Sequence, residues 1–191
     1  MPQLNTSLVD EARAAARGLL ALLVGDRGAS RYFSFSRAGL AGSFIALLLV
    51  TAIELVATAA LGGGGMFGAL VQQVIVYGAV VGASALYLRQ IGRNDALVPF
   101  VVTLNWSNAI LSLAMLATIL LGLTVLSFVF LIAGIVLSIN IGRVVMTLRP
   151  MQIVLLIIAQ AVGLVAALLV LVMLFPPSAE DLAAIAAAAR G

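Results

Sequence analysis

From Leu97 to Asn140 no residue carries a charge, a run of 44 residues. A helix crossing a hydrocarbon layer needs roughly 20 residues at 1.5 Å each. The run is too long for one crossing and long enough for two. Gly122-Leu123-Thr124 is its one plausible break, which divides it into spans at about 99–121 and 124–142. Further apolar runs lie at about 39–61, 67–88 and 150–175. The expected fold is all-α, a polytopic membrane bundle of five transmembrane helices over 39–175. Composition agrees: 64% of residues are apolar and 9% charged, whereas a soluble domain carries about a quarter charged.

The charges test that layout independently. All ten basic residues are arginine. Arg13, Arg17, Arg27, Arg31 and Arg37 precede the first span. The first connection has none, the second has Arg89 and Arg93, the third none, and the fourth Arg143 and Arg149. The tail, 176–191, carries Arg190 with Glu180 and Asp181. Basic residues face the cytoplasm in membrane proteins, so the alternation predicts five crossings with the N-terminus inside and the C-terminus outside. The arginines lie beside apolar runs and are not gathered into a phosphate-tracking face, so the lipid bilayer is the expected partner and nucleic acid is not.

Residues 1–38 read as a cytoplasmic, interfacial segment. Leu8, Ala12, Ala15, Leu19, Leu22 and Leu23 recur at helical spacing, with Arg13 and Arg17 on another face. Ser7 and Asp10 fit a capping box, and Gly25-Asp26 ends this amphipathic helix. The acidic pair Asp10-Glu11 near the start argues against a cleaved signal peptide. Arg31, Tyr32, Phe33, Phe35 and Arg37 are expected to anchor the entry to the first span at the headgroup level. Gly62–Gly65 reads as a hairpin hinge. After Pro176-Pro177, Ser178 and Asp181 suggest a short Ala-rich tail helix at about 179–189.

Few polar groups fall inside the spans. Glu54 is the one ionisable residue there. An ionised carboxylate in hydrocarbon is costly, so it is expected to face the bundle interior. Its depth matches that of Gln73 across the first hairpin, which makes Gln72 and Gln73 the expected hydrogen-bond partners, either as a packing clasp or as a proton or cation site. A second cluster is Asn105, Asn108 and Gln160, at similar depth from the inner side. Amide bonding between helices is the plainer reading, a polar ligand pocket the sharper one. Gly78 and Gly82, then Gly134, Ser138 and Gly142, then Ala159, Gly163 and Ala167 make rows of small residues along which helices can pack.

The chain contains no cysteine and no histidine. That excludes disulfides, thiol chemistry, cysteine-ligated iron–sulfur clusters, histidine-ligated haem and the usual zinc sites. No carboxylate pair has acid–base spacing. The four glycines of the hinge lack the lysine of a phosphate loop. Neither a cofactor nor a catalytic residue is expected.

Phe33, Ser36 and Gly39 form an F-x-x-S-x-x-G lead into the first span, and Asn105-Trp106 an N-W pair in the third. With five spans, these resemble small multi-pass inner-membrane proteins of alphaproteobacteria. The resemblance covers about residues 19–175 and implies a bacterial inner-membrane location. The five-span plan is also similar to the Yip1 superfamily, associated with membrane trafficking or organisation, although the Asp-Leu-Tyr-Gly-Pro stretch of its eukaryotic members is missing here. Neither resemblance implies a reaction.

The function expected from these features is noncatalytic: organising a membrane complex or its lipid environment, with a membrane-protein partner or a second copy. The alternative is a small transporter, or a membrane subunit of a transporter or channel, built on Glu54, Gln72 and Gln73. Because the chain has no cysteine, introduced thiols report sidedness cleanly. Ser30→Cys, Asn94→Cys and Thr147→Cys are expected to label with an impermeant reagent from the cytoplasmic side, and Gly65→Cys and Ser178→Cys from the opposite side. Labelling of positions 30 and 178 from one side would refute the five-span count.

Overall fold

The computed structural model describes residues 7–61 and 65–176. The N-terminal six residues, the hinge glycines at 62–64 and the expected tail helix lie outside the described residues. Six α-helices follow one another: α1 (Leu8–Leu23), α2 (Arg37–Ala60), α3 (Met66–Gln90), α4 (Leu97–Leu120), α5 (Ser127–Asn140) and α6 (Pro150–Leu174). A wide π-helical turn, Ile141–Val145, prolongs α5. The helices α2, α3, α4, α5 with its extension, and α6 are each long and apolar enough to cross a membrane.

Local chemistry sets the helix ends. Ser7 caps α1 by accepting the Asp10 N–H at 3.2 Å, and Ser36 caps α2 by accepting the Gly39 N–H at 3.1 Å. Pro150 opens α6, where its missing N–H costs nothing, and the Gln152 side chain accepts the Arg149 N–H at 2.9 Å. The break at Gly122 is a true helix stop. Gly122 has φ +71°; its N–H bonds the Ile119 carbonyl at 3.0 Å and the Leu123 N–H bonds the Thr118 carbonyl at 2.8 Å. This Schellman arrangement closes the carbonyls that α4 leaves open, and needs the left-handed backbone that glycine adopts freely. The same pair of bonds ends α1 at Gly25 and α3 at Gly92.

Short connections suggest that consecutive spans pack as hairpins. The structure instead places the most extensive contacts between α2 and α4 and between α3 and α6. α2 and α4 run in the same direction, Ser43 beside Asn105 and Thr51 and Leu55 sharing a cleft with Met115 and Ile119. α3 and α6 run oppositely. A Cβ placed on Gly163 would lie 2.8 Å from the Ala79 carbonyl oxygen and 2.9 Å from the Ala83 Cβ. The small residues at this crossing let the two backbones approach, and dispersion favours that pairing over neighbours with bulkier faces. α5 packs on α4 and α1 and hardly touches α6.

The arginine-bearing connections meet at one end of the bundle. The Arg93 guanidinium donates to the Met146 carbonyl (2.8 Å) and the Thr147 hydroxyl (3.1 Å), and pairs with Asp95 at 3.1 Å. That ion pair holds the Asp95 carboxyl below its ordinary range. Across this same end lies α1, with Ala15, Leu19 and Leu22 buried against the bundle. Its apolar face therefore meets protein. The Asn140 amide donates to the Leu22 carbonyl at 2.7 Å, fastening the C-terminus of α1 to α5.

The lead into α2 is part of this packing. Phe33 is buried. Its ring fills the space over Gly18, where a Cβ would lie 2.7 Å from the ring carbons, and it stacks on Phe35 at 6.4 Å between centroids. The expectation that Phe33 anchors in headgroups is corrected: the glycine notch in α1 draws the ring inward. Arg31 and Arg37 remain exposed, Arg31 lying 5.0 Å over the half-buried Tyr32 ring. Gly39 faces the Ser34 main-chain carbonyl with no room for a side chain. Gly39→Ala is expected to lower stability in detergent by about 1–3 kcal/mol, the usual range for overpacking. Gly78→Ala, with nothing near its Cβ position, should leave the melting temperature unchanged or raised; thermal unfolding of the two variants measures the contrast.

Candidate functional site

Asn105 on α4 is fully buried. Its carboxamide oxygen accepts the Tyr77 hydroxyl at 2.6 Å from α3, and its amide donates to the Ser43 hydroxyl at 3.0 Å on α2. The Ser43 hydroxyl in turn donates to the Leu40 carbonyl at 2.8 Å. One amide thus links three helices, with both of its ends satisfied. A second link runs from the Gln160 amide on α6 to the Ser84 hydroxyl on α3 at 3.1 Å, with Ser84 bonded in turn to the Val80 carbonyl.

The two polar groups expected from sequence are therefore only partly assembled. Asn105 faces α2 and α3. Asn108 and Gln160 instead border a cleft of about 490 Å³ between α4, α5 and α6. The i, i+3 spacing does bring Asn105 and Asn108 near one another on α4, but a rotation of about 300° between them leaves them some 60° apart, enough to put them on opposite sides of a helix–helix contact. Trp106 is buried toward α1, sharing a smaller cleft with Glu11 and Ala14. Burial pushes the Glu11 carboxyl up from its ordinary range.

Glu54 and Gln73 border a common cleft of about 270 Å³ with Thr51, Thr58, Met115 and Ile119. No hydrogen bond joins Glu54 to Gln72 or Gln73 among the described residues, and Gln72 is exposed away from that cleft. The matched depth brought Glu54 and Gln73 to one cavity, while the helical phase of α3 turned Gln72 aside. The cleft does not extend to Asn105.

The small residues divide by environment. Gly163 sits at the close α3–α6 crossing, and a Cβ on Gly142 would meet the Ile153 side chain at 3.1 Å. Ala167 is buried, and Ala159 borders the α3–α6 groove. Gly78, Gly82 and Gly134 have open space at the Cβ position. Gly134 and Ser138 border the α4–α5–α6 cleft. Sequence reading gave no role to Asn140, and did not single out Ser43, Ser84, Ser112 or Ser127. The available signal was a hydroxyl or amide within an apolar run, which must find a partner where water is absent.

No group of three or more acidic residues able to hold a metal occurs among the described residues. Chemically, the arrangement offers neutral hydrogen bonding and one carboxylate. Asn105→Leu is expected to cost about 1–2 kcal/mol, the upper range for side-chain bonds between membrane helices, because it orphans the Tyr77 hydroxyl. Asn108→Leu should leave stability at or above that of the wild type, since Asn108 makes no bond to lose; denaturant titration in mixed micelles distinguishes the two.

Comparison with known protein families, curated proteins and solved structures found no match for the chain.

Proposed function

We propose that this chain is a noncatalytic integral membrane protein that organises a membrane complex or its lipid surroundings. The observation carrying this reading is that the buried and half-buried polar side chains fasten helices together. Asn105 joins α2, α3 and α4, Gln160 joins α6 to α3, and Asn140 joins α5 to α1. A chain built to move a solute needs such groups along a continuous path. Around this frame, Leu48, Val56, Phe67, Phe128, Leu131, Val162 and Met173 are all more than half exposed, giving a wide apolar perimeter for lipid or for partner helices.

The arginine-bearing end, with α1 across it, is the cytoplasmic end in this reading, and α1 lies at the interface with its arginines toward headgroups. A bacterial inner membrane follows from the resemblance of the Phe33-Ser36-Gly39 lead and the Asn105-Trp106 pair. The alternative, a transporter or a membrane subunit of one, is favoured by the cleft that Glu54 shares with Gln73.

Purification from native membranes in mild detergent, beside reconstitution of wild type and Glu54→Gln in vesicles, decides between them. An organising role predicts a stoichiometric membrane complex that Glu54→Gln leaves intact. Proton or cation flux by the wild type that Glu54→Gln abolishes, with folding preserved, would overturn it.

A further inference from the structure

The cleft between α4, α5 and α6 is larger than the one at Glu54, and it is built differently. It arises because α6 packs on α3 while α5 packs on α4 and α1, leaving the last two helices apart. Its volume of about 490 Å³ falls within the usual range for small-molecule sites, ~300–1,000 Å³. The walls are Leu, Ile, Phe and Met side chains, and every polar group on them is neutral.

Those polar groups are not all satisfied by the protein. Asn108, Ser112 and Ser127 make no side-chain hydrogen bond among the described residues. Gln160 uses one N–H on Ser84 and keeps its second N–H free. A carboxamide carries two N–H donors and an acceptor oxygen, and a hydroxyl can act either way, so the cleft presents several polar groups, N–H donors among them, that the protein leaves without a bond. In hydrocarbon each such group is costly until a partner arrives.

Depth narrows the partner. Asn108 lies 11 residues into α4 and Gln160 10 residues into α6, which is about 15–17 Å along each axis. The hydrocarbon layer is about 30 Å thick, so these groups sit near its middle. Ester carbonyls and phosphates of the bilayer's own lipids stay at the interface, far from this level. A charged headgroup would find no counter-charge among the lining residues.

We propose that this cleft binds a neutral lipid that carries carbonyl oxygens on an otherwise apolar body, as a quinone does, with Asn108 and Gln160 donating to the carbonyls and Ser112 one turn further along α4. The site is distinct from the Asn105 link and from the Glu54 cleft, and it does not depend on the organising role.

The test is photolabelling of the full chain in nanodiscs with an azido-decylubiquinone, followed by peptide mapping. Saturable label on α4, α5 or α6 around the cleft is expected, displaced by decylubiquinone and not by squalane or phosphatidylglycerol. The double variant Asn108→Leu/Gln160→Leu should weaken apparent affinity about tenfold or more, as expected for losing two neutral hydrogen bonds. Ser112→Phe, which fills the space without touching the Ser84 link, should abolish the label, and it serves if the double variant misfolds. Label that grows in proportion to probe without saturating, or that squalane displaces equally well, would overturn the proposal. So would label unchanged in Ser112→Phe.

Discussion

Where water is absent, a polar side chain must find its partner within the protein, and that requirement fixes how these helices are arranged. Asn105 illustrates it. An amide buried in a span has no solvent to return to, so its oxygen and its N–H must both be met by neighbouring helices. Tyr77 and Ser43 meet them from opposite sides. That bond pair holds α3 and α2 to α4 at one level, in a bundle whose contacts are mostly apolar and without direction. Lipid tails compete well with Leu and Val for such contacts. The hydrogen bonds and the small-residue crossing at Gly163 therefore supply specificity that apolar burial alone does not.

The pairing that results is α2 with α4 and α3 with α6, and the clefts follow from it. Five helices that each packed on their sequence neighbours would close around one interior. Here two pairs and a peripheral α5 leave room between α4, α5 and α6, and between α2, α3 and α4 near Glu54. At the arginine-bearing end the same gaps are bridged. Arg93 spans two connections, and α1 covers the ends of several helices with Leu19, Leu22 and the neighbouring Phe33.

Span positions were legible because charge exclusion from hydrocarbon acts on each segment alone. The structure places the long helices within a few residues of the runs read from sequence, and the weak signal at Gly122 marks a real stop. The candidate sites were legible only as residue types. Glu54 and Gln73 do share a cleft, and Asn108 and Gln160 share another, yet Asn105 belongs to neither. The lead at Phe33 was misread for a related reason: an aromatic beside arginines suits a headgroup layer, but a notch at Gly18, fifteen residues earlier, offered the ring a place inside the protein.

By itself, then, the sequence determined the number of apolar helices, their stops and the end that carries the arginines, because desolvation and helix capping are decided by residues close along the chain. The tertiary structure alone decided that α2 pairs with α4 and α3 with α6, that Asn105 links three helices, and that Asn108 and Gln160 face a common cleft. Those outcomes depend on which faces approach across tens of residues. Between apolar helices the preference among such approaches rests on a few small residues and a few hydrogen bonds, whose partners only the folded arrangement identifies.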